Sequence, residues 1–239
     1  MSDDVPAYAP KRPRRLPISA TTLLIVANVG WFLFMWRHGV DPRDPDPAGL
    51  VRYGAIERTL VRHGEWWRLA SAMFVHVGFV HILVNMISLT QVGPLVERLF
   101  GRGPYLALYL LTGLCASVAS VAAHKGGVSA GASGAIFGIV GGLVAFLVRV
   151  GRHVFEPGAV GRLLRNLVFV IGINLAIGFT VPMIDNAAHL GGLVAGLAIG
   201  AALAGSATPD SLSNRYRRAW VVSLVALVAL AGGAFVLIR

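Results

Sequence analysis

Charged residues and cysteines are both scarce in this chain, and each scarcity excludes a class of protein. Only 13% of the 239 residues are charged, whereas 56% are hydrophobic. A soluble domain carries about 25% charged residues, so this chain could not cover its apolar surface in water. Cys115 is the single cysteine, which excludes a disulfide framework or a zinc knuckle within one chain. The composition therefore predicts an all-α integral membrane protein.

The positive charge is distributed as it is in membrane proteins. The formal net charge is +10, which in a soluble protein would suggest a nucleic-acid partner. Here the arginines fall in the gaps between long apolar runs, without the interleaved aromatic residues of a nucleic-acid-binding patch. The predicted partner is therefore the lipid bilayer, and no nucleic-acid partner is expected.

Apolar runs long enough to cross a hydrocarbon layer of ~30 Å recur along the chain. The first run has no small-residue cleavage site at its end, so we interpret it as a signal anchor. Residues 1–17, rich in proline and arginine, are predicted to form a disordered cytosolic tail. The predicted spans fall at about residues 19–36, 78–97, 104–123, 131–149, 163–181, 186–205 and 219–238.

The arginines also predict how the chain is oriented. With the N-terminus in the cytoplasm, more basic residues fall on the cytoplasmic side than on the outer side. This arrangement suits a protein of the cell (inner) membrane with its C-terminus outside. The exception is segment 37–77, which is too long for a simple connection and is expected to be structured or functional. Its Trp66-Trp67-Arg68 sequence suits the membrane interface, either as an anchor or in a more specific shaping role.

Polar residues of the apolar spans gather at one depth. The second, fourth and sixth spans all run from outside to inside, so their first residues share the outer leaflet. Near these ends lie His81 and Asn85, then Ser133, then His189. Each residue alone would be explained as helix–helix hydrogen bonding. Their convergence favours a functional site, because polar groups at that depth face protein or a water-filled cavity.

Two glycine series predict how closely the fourth and sixth spans approach. Glycines four residues apart form a smooth ridge along a helix, and such ridges let helix backbones approach closely in lipid. If the two ridges face each other, Ser133 comes close to His189. The ridges are Gly134, Gly138 and Gly142 in the fourth span and Gly192, Gly196 and Gly200 in the sixth.

A serine beside a histidine at a helix N-terminus has a specific chemical use. A neutral imidazole can take the proton of the serine hydroxyl and so activate the oxygen as a nucleophile. Free backbone N–H groups at the start of the helix can stabilise an oxyanion, and His81 and Asn85 could add further donors. The pattern predicts acyl-transfer chemistry, most simply peptide-bond hydrolysis inside a membrane.

Residues 64–205 resemble the rhomboid family of intramembrane serine proteases. The GxSG motif alone is weak, but the full set of motifs in this order is specific. The resemblance implies a six-helix bundle over residues 18–205, with a seventh helix in residues 206–239, a six-plus-one arrangement. The motifs are Gly64-Glu65-Trp66-Trp67-Arg68, His76, the His81–Asn85 pair, Glu97-Arg98, Gly131-x-Ser133-Gly134 and Ala188-His189-x-x-Gly192-x-x-x-Gly196.

The resemblance also implies roles for individual residues. Ser133 would be the nucleophile and His189 the general base, a dyad that needs no acid, metal or other cofactor. The oxyanion hole and its support would come from His81, Asn85, Gly131 and Asn186. Phe137 would pack on the catalytic histidine, and His76 would lie near the active-site water or be structural. The remaining structural or nearby residues are Trp67, Arg68 and Glu97.

The same resemblance implies the substrates and leaves alternatives open. The substrates would be single-span membrane proteins cut at helix-weak segments, and the fifth span could be a mobile gate. An inactive relative that binds membrane clients would typically lack the serine or the histidine, and a transporter or channel would carry paired charges within its spans. Asp185, four residues before His189, could orient the imidazole, although a cap of the helix is favoured.

Overall fold

The computed structural model describes residues 18–123, 126–156, 158–181 and 183–204. Within these residues, six helices are long and apolar enough to cross a membrane. The predicted tail 1–17 and the predicted seventh span 219–238 lie outside the described residues. The elements are α1 (Ala20–Arg37), α2 (Pro47–Arg52), β1 (Ile56–Glu57), α3 (Arg58–Arg62), α4 (Arg68–Ser71), α5 (Gly78–Phe100), α6 (Arg102–Ala123), β2 (Val128–Ser129), α7 (Ser133–Val150), a 3-10 turn (Gly151–His153), α8 (Ala159–Thr180) and α9 (Asn186–Ala204).

The six described spans confirm the predicted all-α membrane fold, but two of their boundaries differ from the prediction. α5 continues to Phe100 instead of ending near residue 97, and α8 begins at Ala159 instead of near residue 163. Both predictions stopped at charged residues, yet charges at a membrane surface do not end a helix. Instead, a glycine with positive φ stands at each of these boundaries, Gly101 at φ +86° after α5 and Gly158 at φ +79° before α8.

Segment 37–77 is structured, as its length led us to expect. It contains α2, β1, α3 and α4, and β1 pairs antiparallel with β2 in the register Ile56 to Ser129. Glu57 caps α3 by accepting the N–H groups of Thr59 at 3.0 Å and Leu60 at 2.9 Å. Burial alone would raise the pKa of Glu57, but these hydrogen bonds outweigh it and hold the pKa below its usual value. Through the pairing of β1 with β2, the segment contacts the chain just before Ser133.

α7 lies between α6 and α9, and glycines set its distance to both. A β-carbon on Gly192 would collide with the carbonyl oxygen of Gly134, and one on Gly196 with that of Gly138. The prediction that the two glycine ridges face each other is therefore confirmed. On its other side, a β-carbon on Gly138 would collide with the Thr112 side chain of α6. Most of α7 is consequently buried, whereas α8 contains no buried residue.

Candidate active site

Ser133 is the first residue of α7, and a sharp turn at Gly131 leads the chain to it. Gly131 has φ +125°, a conformation that glycine alone adopts readily. Its N–H donates to the carbonyl of Ala72 at 2.9 Å. A β-carbon at this position would also lie 2.6 Å from Cε1 of His81. Both backbone conformation and packing therefore restrict position 131 to glycine.

His189, the fourth residue of α9, lies directly beside Ser133. Nε2 of His189 and Oγ of Ser133 are 2.9 Å apart, a hydrogen-bond distance. The His189 imidazole is only 7% exposed and stacks on the Phe137 ring, with centroids 4.3 Å apart and planes inclined by 9°. Because Phe137 lies one helical turn beyond Ser133, α7 carries both the hydroxyl and the ring that fixes the imidazole plane.

The hydrogen bond to Ser133 defines which imidazole nitrogen holds the proton. If Nε2 of His189 accepts the hydroxyl hydrogen, the neutral ring carries its own hydrogen on Nδ1. Within the described parts of the chain, Nδ1 has no hydrogen-bond partner. Asp185 therefore does not bind Nδ1, and its Oδ1 instead accepts the N–H of Ala188 at 2.9 Å. Asp185 thus caps α9, which was the favoured expectation, and does not form a hydrogen-bonded triad with His189 and Ser133.

His81 and Asn85 lie on one face of α5, as their spacing of four residues predicts. Nδ1 of His81 accepts the N–H of Val77 at 3.2 Å, so the ring proton lies on Nε2, which faces Gly131. The Asn85 amide is buried and donates one hydrogen to the His81 carbonyl at 2.8 Å. Ala132, the N-cap residue of α7, makes no side-chain hydrogen bond to the first N–H groups of the helix. Imidazole, amide and backbone N–H groups are the donor types of oxyanion holes.

His76 fixes the residue immediately before Ser133. It is fully buried, its Nδ1–H donates to the Phe74 carbonyl at 3.2 Å, and its Nε2 accepts the Ala132 N–H at a long 3.4 Å. Burial, and then the neighbouring His81, lower the pKa of His76 to about 3. The ring therefore stays neutral at physiological pH and keeps Nε2 available as an acceptor. This geometry gives His76 a structural position behind the site.

Trp67 and Arg68 differ in exposure, and each fits one of the two roles considered for their motif, an interfacial anchor or a shaping role. Trp66 and Trp67 are 55% and 53% exposed, as residues of an interfacial anchor would be. Arg68 is only 6% exposed and forms an ion pair with Glu65 at 2.7 Å. Its guanidinium also donates to two backbone carbonyls, that of Val51 in α2 and that of Ala55 just before β1. Arg68 therefore shapes the segment from inside, which agrees with the second of the two roles considered for this motif.

Two of the predicted site residues form hydrogen bonds that hold helices together. Glu97 is near the far end of α5, where its carboxylate accepts the N–H groups of Ala20 at 2.7 Å and Thr21 at 3.0 Å. Glu97 therefore caps α1. Asn186 begins α9, but its side-chain amide donates to the Leu175 carbonyl of α8 at 3.0 Å. This hydrogen bond attaches α9 to α8.

The sequence analysis missed two serines that contact Asp185. Oγ of Ser120 on α6 and Oγ of Ser129 on β2 both donate to Oδ2 of Asp185. Neither serine belongs to a motif, and a serine in an apolar helix or before a glycine turn carries no signal of its own. In the described ranges, no three His, Cys, Asp or Glu side chains are grouped as metal ligands would be.

Comparison with known proteins identifies the family of the chain. Residues 63–206 match the Rhomboid domain family. The chain is 40% identical over 184 residues to "Rhomboid protease GluP" of Bacillus subtilis (strain 168), which covers 77% of this chain and 34% of that protein. It is 40% identical over 158 residues to "RHOMBOID-like protein 5" of Arabidopsis thaliana, covering 65% of this chain and 50% of that protein.

A further relative shows how much of these proteins the chain represents. It is 34% identical over 215 residues to "RHOMBOID-like protein 1" of Arabidopsis thaliana, covering 82% of this chain and 54% of that protein. The chain thus spans between about a third and about a half of the length of these three relatives. The family match covers more than half of the chain itself, and its six described apolar helices agree with a multi-pass membrane protein. The chain therefore belongs to the Rhomboid family.

Proposed function

We propose that this chain is an intramembrane serine endopeptidase that cuts single-span membrane proteins near the outer leaflet. The observation that carries the proposal is the 2.9 Å contact between Oγ of Ser133 and Nε2 of His189. Serine and histidine at this distance are the minimum for nucleophilic acyl transfer, because the imidazole can remove the hydroxyl proton. Membership of the Rhomboid family, which includes a relative named a rhomboid protease, supports this assignment.

In the first step, Oγ of Ser133 would attack the carbonyl carbon of the scissile peptide bond. Its proton would pass to Nε2 of His189, and the resulting imidazolium would return that proton to the leaving amine. Water would then release the acylated Ser133 by the reverse sequence, with His189 again acting as the base. Phe137 supports both steps, because a parallel aromatic face 4.3 Å from the imidazole favours its cationic form.

The tetrahedral intermediate requires donors for its negative oxygen. The proton of His81 lies on Nε2, towards the turn at Gly131, and Asn85 has a second amide hydrogen beyond the one it gives to the His81 carbonyl. The backbone N–H of Ser133 begins α7, where the helix dipole is positive. These three groups are the donors we assign to the oxyanion, with Gly131 leaving room for the substrate backbone.

Substrate would reach this site from the lipid, past α8. α8 contains no buried residue, so it is the described span whose displacement disturbs the fewest contacts. A substrate helix with a weak segment could unwind there and expose a peptide bond, most easily beside a small residue. We further propose that the protein lies in the cell membrane with its N-terminus in the cytoplasm and its C-terminus outside, which places Ser133 near the outer leaflet.

The test compares the unmodified chain with Ser133→Ala and His189→Ala in liposomes that contain a labelled single-span substrate. We expect cleavage by the unmodified chain only, and labelling of Ser133 by a serine-directed phosphonate probe. Equal cleavage by all three proteins would mean that other residues or a contaminant act. Absence of both cleavage and labelling would contradict the proposal and favour a rhomboid relative that binds membrane clients without cutting them.

A further inference from the structure

Asp185 is hydrogen-bonded to three separate parts of the chain. Its Oδ1 accepts the N–H of Ala188 in the first turn of α9. Its Oδ2 accepts the hydroxyl hydrogens of Ser129 on β2 at 2.6 Å and of Ser120 on α6 at 2.5 Å. Hydrogen bonds to a carboxylate are roughly twice as strong as those between neutral groups. One side chain thus joins α9, β2 and α6 at the end of the bundle where Ser133 lies.

The chain between Ser129 and Ser133 has little freedom to move. Ser129 ends β2, where it pairs with Ile56 of β1. Two of the three intervening residues are also held through their backbone N–H groups, Gly131 by the carbonyl of Ala72 and Ala132 by Nε2 of His76. Because only three residues separate Ser129 from Ser133 and two of them are hydrogen-bonded, the connection has little slack, and we expect a displacement of Ser129 to reach Ser133.

The path from Asp185 to His189 is equally short and stiff. Both residues are separated by one helical turn, and the carbonyl of Asp185 accepts the N–H of His189 at 3.1 Å. The hydrogen bond between Ser129 and Asp185 therefore completes a closed path of contacts. This path runs from Asp185 through Ser129 to Ser133, across the 2.9 Å contact to His189, and back to Asp185 along α9.

We propose that Asp185 is a positioning residue that sets the distance between Ser133 and His189 without touching either side chain; this rests on the proposed function. The two hydroxyls that it accepts differ in what they hold. Ser129 connects Asp185 to the strand that leads into Ser133, whereas Ser120 lies on α6. Positioning therefore depends on Ser129 more than on Ser120, although each loses one hydrogen bond to the same oxygen when it is replaced.

The test uses this matched pair of serines. For each variant, we would measure the rate at which the phosphonate probe labels Ser133, kcat and KM for cleavage, and thermal stability. A misplacement of about 1 Å can cost about 100-fold in rate, so we expect Ser129→Ala and Asp185→Ala to lower labelling and kcat by about 10- to 100-fold, with KM little changed. Ser120→Ala should change the rates by less than about 3-fold while lowering thermal stability as much as Ser129→Ala.

Two further variants test whether the hydrogen bonds themselves matter. Ser129→Thr keeps the hydroxyl and should recover most of the labelling rate. Asp185→Asn keeps an effective cap of α9 but loses the charge, so its rate should fall between those of the unmodified chain and Asp185→Ala. Equal labelling rates for Ser129→Ala and Ser120→Ala, or rates that follow thermal stability across all variants, would overturn the proposal.

Hydrogen exchange separates failure of this proposal from failure of the proposed function. If the unmodified chain neither labels nor cleaves, the protease assignment fails, but exchange of the peptide containing Gly131 and Ser133 can still be measured. Faster exchange in Ser129→Ala and Asp185→Ala than in the unmodified chain, with no acceleration in Ser120→Ala, would support the role of Asp185 in holding this segment. Unchanged exchange in all three variants would contradict it whatever the catalytic result.

Discussion

α7 and α8 are consecutive spans of similar apolar character, yet they occupy opposite extremes of burial. Most of α7 is enclosed by α6 and α9, whereas no residue of α8 is buried. On α8, large side chains such as Phe169, 68% exposed, and Phe179, 81% exposed, point away from the protein. α7 carries the proposed nucleophile and α8 is the proposed gate, so the two helices differ in rigidity where the proposed function needs them to differ.

The difference in burial between α7 and α8 follows from what holds helices together in lipid. Lipid tails are as apolar as leucine, so apolar side chains alone give little reason for one helix to pack on another. α7 packs because its glycines let the backbones of neighbouring helices approach within van der Waals contact. A β-carbon on Gly172 in the middle of α8 would meet nothing within 4 Å. Small residues in register with a partner, and not apolarity, distinguish the two spans.

The largest effect should come from adding one methyl group to the glycine contact between α7 and α9. In Gly196→Ala the new β-carbon collides with the carbonyl of Gly138, and backbone cannot move aside as a flexible side chain can. Overpacking typically costs 1–3 kcal/mol, and this backbone conflict should exceed about 3 kcal/mol. We expect loss of folded protein, measured as the thermal transition in detergent and as probe labelling of Ser133.

Gly172→Ala is the matched control on α8. Because its β-carbon meets open space, we expect a stability change within about 0.5 kcal/mol, or a small gain from helix propensity. If both variants lose equal stability, the contrast between the two helices is wrong, because α8 would then be packed as closely as α7.

A second effect should appear only when α8 is prevented from moving. With Cys115 replaced by alanine, a cysteine pair that joins the first turn of α5 to the last turn of α8 should abolish cleavage when oxidised, and reduction should restore it. The fold should be unaffected, since α8 contributes few contacts to the core. Cleavage of the same labelled single-span substrate measures this effect, and a cysteine pair between α6 and α7 is the control. Unchanged cleavage in the oxidised α5–α8 protein would contradict a gate at α8.

The sequence was sufficient to predict the six described spans and the glycine ridges that join α7 to α9. These features are visible because membrane spans need long apolar runs and close helix contacts need small residues at a spacing of four. The length of α5 was predicted less well, because Glu97 looked like the end of the span. Its carboxylate binds the backbone of Ala20 and Thr21 on α1, a contact between residues far apart in sequence that leaves no local pattern.

In the candidate site, too, some features could be predicted from the sequence and others could not. The approach of Ser133 to His189 was predicted from the ridges, and the stacking of Phe137 from the family resemblance. The burial of Arg68 was not predicted, because the acceptors that satisfy it are backbone carbonyls of Val51 and Ala55, and any residue type supplies these. Backbone acceptors, like the carboxylate contacts of Asp185, become visible only when the chain has folded.

The smallest effect is expected where a single side chain attaches α8 to α9. The amide of Asn186 donates to the Leu175 carbonyl at 3.0 Å, and a β-carbon on Gly178 would lie 2.7 Å from its Cγ. Asn186→Ala removes this hydrogen bond, but it also removes Oδ1, a buried atom without a partner among the described residues. Because the second change offsets part of the first, the net loss should be at most about 1 kcal/mol.

That loss should be local to α8, and hydrogen exchange can show it. One kcal/mol corresponds to about a five-fold change in an opening equilibrium, so amides near Leu175 should exchange up to about five-fold faster while those of α7 do not change. Asn174→Ala is the control, because the Asn174 amide donates to the Val170 carbonyl of its own helix and, among the described residues, to no other helix. If Asn174→Ala accelerates exchange as much as Asn186→Ala, the helix itself limits the motion of α8 and its attachment to α9 does not. If α7 also exchanges faster in Asn186→Ala, the two helices open together, and the proposed contrast in rigidity between α7 and α8 fails.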